Sequence, residues 1–99
     1  MDDIAAEIIG TKIPKLQDLK LRQEDNLLLV RSCADNNRKI ISLNEDATRI
    51  LSLCDGYNDI NTIALTIAKQ RNLEFKTVRN EALKLIRSLE GADIVTTKL

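Results

Sequence analysis

After a start with Ile4, Ile8 and Ile9 at helical spacing, the hydrophobic pattern of this 99-residue chain turns to strand spacing at Leu16 and back to helical spacing at Asn44. Between Leu16 and Leu43 apolar residues alternate with polar ones or form runs of strand length, and beyond Asn44 they recur at intervals of three and four. Period two belongs to a half-buried strand and the longer period to an amphipathic helix. A chain patterned this way builds a sheet first and helices afterwards, an α+β arrangement. Its length supports one modest core and excludes a multidomain enzyme with a large substrate cavity. Its 43% hydrophobic and 30% charged content is that of a packed domain, not of a disordered segment.

The first strand is expected over 18–23, where Leu19, Leu21 and Gln23 alternate with Lys20 and Arg22. Glu24-Asp25-Asn26 supplies a turn, Leu27 to Cys33 a second strand, and Ala34-Asp35-Asn36-Asn37-Arg38 a second polar turn. Lys39 to Leu43 is a short third strand with Ile41 and Leu43 on one face, Ile40 and Ser42 on the other. The three strands form an antiparallel meander. A first helix over 45–55 starts at an Asn44 cap with Glu45 and Asp46 in its first turn, and ends at Asp55-Gly56. A second runs from an Asn61 cap to about Gln70, with Ile60 just outside it as a staple. A third covers 76–90 and stops at Gly91, leaving Ile94 to Thr97 as a short extended tail. Residues 1–15 read as a tail or short helix, broken at Gly10 and Pro14, and residues 16–99 as the domain. Two helices joined by a short turn beside a meander are the parts of a winged helix-turn-helix-like fold.

Composition removes most chemistries. There is no His or Trp, and one Tyr and one Phe. Zinc sites, histidine acid–base chemistry and Ser-His-Asp triads lack their parts, and single-stranded nucleic acid has almost nothing to stack on. No spacing of Asp, Glu, Lys and Cys gathers a catalytic site, so the chain reads as a non-enzyme with no cofactor or metal. An acidic start and the lack of a long apolar run point to a cytoplasmic protein without a membrane segment, in which Cys33 and Cys54 are expected as buried free thiols.

Two surfaces carry the functional question. On the third helix, Phe75, Val78, Ala82, Leu85 and Leu89 form an apolar arc, and Leu83 and Ile86 widen it into a shoulder; the width is explained either by a central helix touching several neighbours or by a groove open to a partner. Basic residues gather around this helix and acidic ones around 45–59, so a neutral chain with 15 cations and 15 anions is dipolar. The basic excess is small for phosphate binding, which makes a winged-helix DNA-binding regulator the lesser alternative. The third strand leaves an unpaired backbone edge flanked by Arg38 and Lys39, readable as edge protection or as a dock for an acidic peptide, and exposed edges also permit homodimers by strand exchange.

The run Leu43-Asn44-Glu45-Asp46-Ala47-Thr48-Arg49-Ile50-Leu51-Ser52-Leu53-Cys54-Asp55-Gly56 resembles the signature of the PqqD family, small proteins named for pyrroloquinoline quinone biosynthesis. Asn61-Thr62-Ile63, Val78-x-x-Glu81-Ala82 and Leu89-x-Gly91 extend the resemblance over about 16–97, with Glu81 where the family favours Asp and Ala82 where it favours Val. The resemblance implies a recognition element of ribosomally made, modified peptides: a stand-alone chaperone that binds the leader of a precursor peptide and presents it to a modifying enzyme, often a radical S-adenosylmethionine enzyme. It further implies that Lys39, Ile40, Ile41 and Ser42 pair with the leader backbone, and that Arg79, Leu83 and Ile86 receive its side chains.

Overall fold

The chain runs α1 (Asp3–Ile9), β1 (Ile13–Leu16), β2 (Leu19–Glu24), β3 (Leu27–Ser32), β4 (Ile40–Leu43), α2 (Glu45–Ser52), α3 (Ile60–Arg71), α4 (Phe75–Gly91) and β5 (Val95–Lys98) in a computed structural model, which describes residues 3–34 and 38–98. The expected turn over Ala34 to Arg38 falls mostly on residues 35–37, outside the described residues. The fold is mixed α+β. β2, β3 and β4 form the antiparallel meander that the alternation implies, and the core takes alternate positions: Val30 and Leu43 are buried, Leu28 and Ile41 half-buried.

A second sheet departs from expectation. β1 pairs antiparallel with β5, Pro14 opposite Thr97 and Leu16 opposite Val95. The meander is therefore preceded by a helix and a strand, and the residues read as a tail at Ile94 to Thr97 are half of a ladder. Pro14 hides this strand in the sequence, since proline lacks a ladder donor. Here it sits at the point where that loss matters least: Pro14 O accepts from Gly56 N at 2.9 Å, while Ile13 and Lys15 pair towards β5. α1 is short, yet Ala6 is in the core and Ile9 packs against it, with Ile4 and Ile8 outside.

Helix ends shift for local reasons. α2 closes at Ser52, three residues short of the expected end, because the chain turns to lie against β1: Leu16 N donates to Cys54 O and Lys15 bridges Asp55. Gly56 does adopt the left-handed region (φ 86°), in that crossing and not as a helix cap. α3 is capped by Asp59, whose Oδ1 accepts from Thr62 N at 2.7 Å, so Ile60 is its first residue and Asn61 lies inside it. α4 passes through Gly91 and stops at a left-handed Asp93, with Ile94 N on Leu89 O at 2.9 Å and Asp93 N on Glu90 O at 3.1 Å, the paired bonds of a Schellman end. α4 is central: Val78, Ala82, Leu83, Ile86 and Leu89 are all buried, and it packs on α3, α1, α2 and β5. Cys54 is buried as expected, but Cys33 is exposed, since the residue after Ser32 leaves the sheet on the solvent face.

Candidate functional site

β4 lies at the end of its sheet, paired only with β3 among the described residues, so one backbone edge is open. The direction of each residue's backbone follows from the ladder. Opposed residues in an antiparallel pair alternate between those that exchange hydrogen bonds and those that do not. Cys33 N donates to the opposite Asp18 O at 3.0 Å. Counting from that pair, Arg31 with Lys20, Leu29 with Arg22 and Leu27 with Glu24 exchange bonds, which leaves Leu28, Val30 and Ser32 facing β4. Their β4 partners are Leu43 for Leu28 and Ile41 for Val30. Ile41 and Leu43 thus spend their backbone groups on β3, and Ile40 and Ser42 turn theirs to the open edge.

Where β4 ends, a groove of about 430 Å³ opens between α2 and α4. Its floor is aliphatic, from Ile50, Ile67 and Val78, with Ala47 and Leu85 on the walls. Its rim is polar: Asn44 and Asp46 on one side, Thr77, Glu81, Lys84 and Ser88 on the other. Asn44 is held as the α2 cap, its Oδ1 accepting from Ala47 N at 2.9 Å. The acids of α2 are largely answered within the fold. Glu45 pairs with Arg49 at 3.0 Å, and Asp46 with Arg71 at 3.3 Å in an ion pair without hydrogen-bond geometry. The Arg49 hydrogen bond, then the charges of Arg49 and Arg71, hold Glu45 below the ordinary carboxylate value. Glu45 is well exposed and Asp46, Arg49 and Arg71 are partly so, though Asp46 Oδ1 itself is covered, so the Glu45 pair sets charge pattern more than stability.

The most distinctive sequence motif does another job. Cys54 Sγ–H reaches Ile50 O at 3.4 Å, and burial, with a smaller push from Asp55, raises its thiol to about 12. Asp55 accepts from the backbone N–H groups of Tyr57 and Asn58 at 2.9 and 3.0 Å, which keep its carboxyl low. Together with Gly56 these residues form the seam against β1. Leu53-Cys54-Asp55-Gly56 builds the fold and stands away from the groove.

The sequence-selected residues divide between two places. Lys39, Ile40 and Ser42 are exposed on or beside β4, Ile40 by 60%, and Ile41 is half-buried. Arg79 is buried, its guanidinium carbon 5.2 Å from the Phe75 ring centre. Leu83 and Ile86 are buried and line a different cleft, beside α1. At roughly 100° per residue, Arg79, Leu83 and Ile86 sit about 180° around α4 from the side that meets the groove. The residues that border the groove, Thr77, Glu81, Leu85 and Ser88, carry too few apolar side chains to register as a stripe in the sequence. Their spacing of four, four and three was the available signal, with Leu85 at the margin of the apolar arc.

No helix among the described residues is long and apolar enough to cross a membrane. No curated protein matches the chain. The family model described as Coenzyme PQQ synthesis protein D (PqqD) matches residues 32–95, from the end of β3 through the groove to the first residue of β5. With most of its length matched, including the open strand and the groove beside it, this chain belongs to the PqqD family.

Proposed function

We propose that the protein is a non-catalytic peptide-recognition element that holds the leader of a precursor peptide and presents it to a modifying enzyme of the radical S-adenosylmethionine class. The meander with α3 and α4 then acts as a winged helix-turn-helix that takes peptide in place of DNA. One observation carries the reading: in a PqqD-family chain, the open edge of β4 runs into an apolar-floored groove. A leader strand would bond to the backbone groups of Ile40 and Ser42, with Lys39 and Ile41 beside them, and place alternate side chains against Leu85 and Ala47. Backbone bonds give affinity that tolerates sequence, and the groove selects side chains. The helix contact, which resemblance placed on Arg79, Leu83 and Ile86, is assigned here to Thr77, Glu81, Leu85 and Ser88. Ordering a disordered leader costs several kcal/mol, so moderate affinity and ready release are expected.

The test is selection from a displayed library of random peptides, followed by amide chemical-shift mapping of the enriched binders. Strand addition predicts slowed exchange at the Ile40 and Ser42 amides, side-chain shifts at Leu85, and aliphatic residues enriched at every second position. Binders that leave residues 40–44 and Leu85 unmoved would refute it.

A further inference from the structure

The cleft on the other flank of α4 is a second candidate surface. It encloses about 540 Å³ and has an aliphatic floor: Ile60 and Ile86 are each 1% exposed, Leu83 8%, and Ile9 closes the α1 end. Three cations stand around that floor, Lys12 from the turn after α1 and Lys84 and Arg87 from α4. None of the three is in an ion pair among the described residues. Among the described residues Glu90 is the one acid of the lining, and its Oε2 accepts from Thr97 Oγ1 at 3.2 Å. Two exposed cations, Lys84 and Arg87, and the half-buried Lys12 over a buried aliphatic floor match a ligand that is apolar on one side and anionic on the other.

We propose that this cleft docks an acidic amphipathic helix of a partner protein. Among the described residues the lining is supplied by three helices and one turn residue, with no strand edge, so recognition there falls to side chains and not to backbone addition. From Asn80 to Glu90 the α4 wall is about 15 Å long, enough for roughly three turns of helix with aliphatic anchors at intervals of three and four. The cleft and the β4 groove lie on different flanks of α4, separated by Lys84, which lines both. A partner docked at the cleft leaves the strand edge open.

The test uses the full chain, a capped 14-residue helical peptide with Leu at helical spacing and Glu elsewhere, a second peptide with Lys in place of each Glu, and dodecanoate. Amide shift mapping is expected to show the Glu peptide moving Ile9, Lys12, Leu83 and Arg87 and leaving Ile40 to Asn44 unmoved. The double variant Lys12→Glu/Arg87→Glu is expected to bind it at least about tenfold more weakly, because like charges then face each other. Lys12→Ala/Arg87→Ala, with an unchanged melting midpoint, should show an intermediate loss. The proposal is overturned if the Lys peptide binds equally well, if charge reversal changes nothing, if no peptide shifts the cleft at millimolar concentration, or if dodecanoate occupies the cleft and the Glu peptide does not. No extended peptide is used, so none of these results bears on strand addition at β4.

Discussion

Exchanging single β4 residues for proline separates an open strand edge from a paired one without any ligand. Ile41→Pro removes the N–H that the ladder assigns to Val30, and Val30 is completely buried. A buried carbonyl left without its donor costs about 1–3 kcal/mol. In a domain of this size each kcal/mol moves the melting midpoint by about 4–8 °C, so Ile41→Pro should lower it by between about 4 and 24 °C. Ser42→Pro removes an N–H that faces solvent, at an edge where proline is tolerated and after a residue already extended, and should cost less than about 1 kcal/mol. Thermal unfolding of both variants by circular dichroism measures the difference. Hydrogen exchange on the parent chain is an independent check, with Ile41 and Leu43 protected and Ile40 and Ser42 fast. Equal destabilisation by the two prolines, or fast exchange at Ile41 with protection at Ser42, would refute the ladder assignment and the docking edge built on it.

Other expectations are simpler. Iodoacetamide on the native protein should label Cys33 and spare Cys54, whose thiol is buried and pushed up to about 12, with both labelled in denaturant; mass spectrometry of the peptides reads this directly. Gly10→Ala would drive a Cβ into the Asn61 side chain, while Asn61 N remains bonded to Gly10 O, and a loss of about 1–3 kcal/mol is expected in urea unfolding. Asp55 and Glu45 are held below their ordinary values of 3.8 and 4.5. A depressed folded-state value stabilises above the unfolded one and is lost as pH falls through the folded one. The unfolding midpoint should therefore hold between about pH 7 and 5 and decline below about pH 4, and Asp55→Asn should make that decline shallower.

Local rules determined a good part of this fold. The change of period at Asn44 placed β2, β3 and β4 ahead of α2, α3 and α4, because side-chain alternation and helical spacing are properties of neighbouring residues. Caps were legible to within two residues: Asn44 was correct, and Asp59 took the role expected of Asn61 because its carboxylate reaches Thr62 N. The open edge was also visible, since a third strand followed directly by a helix has no fourth to pair with. Tertiary structure decided what depends on distant partners. β1 exists because β5, some eighty residues away, pairs with it, and neither Pro14 nor Val95 to Lys98 would hold an extended form alone. The same is true of the site. A helix has two flanks, and only the packing of α1, α2 and α3 around α4 determined that Leu83 and Ile86 face α1, while the less apolar Thr77, Glu81, Leu85 and Ser88 border the groove at the end of β4. Periodicity reports that a helix face is buried; it carries no information about which neighbour buries it.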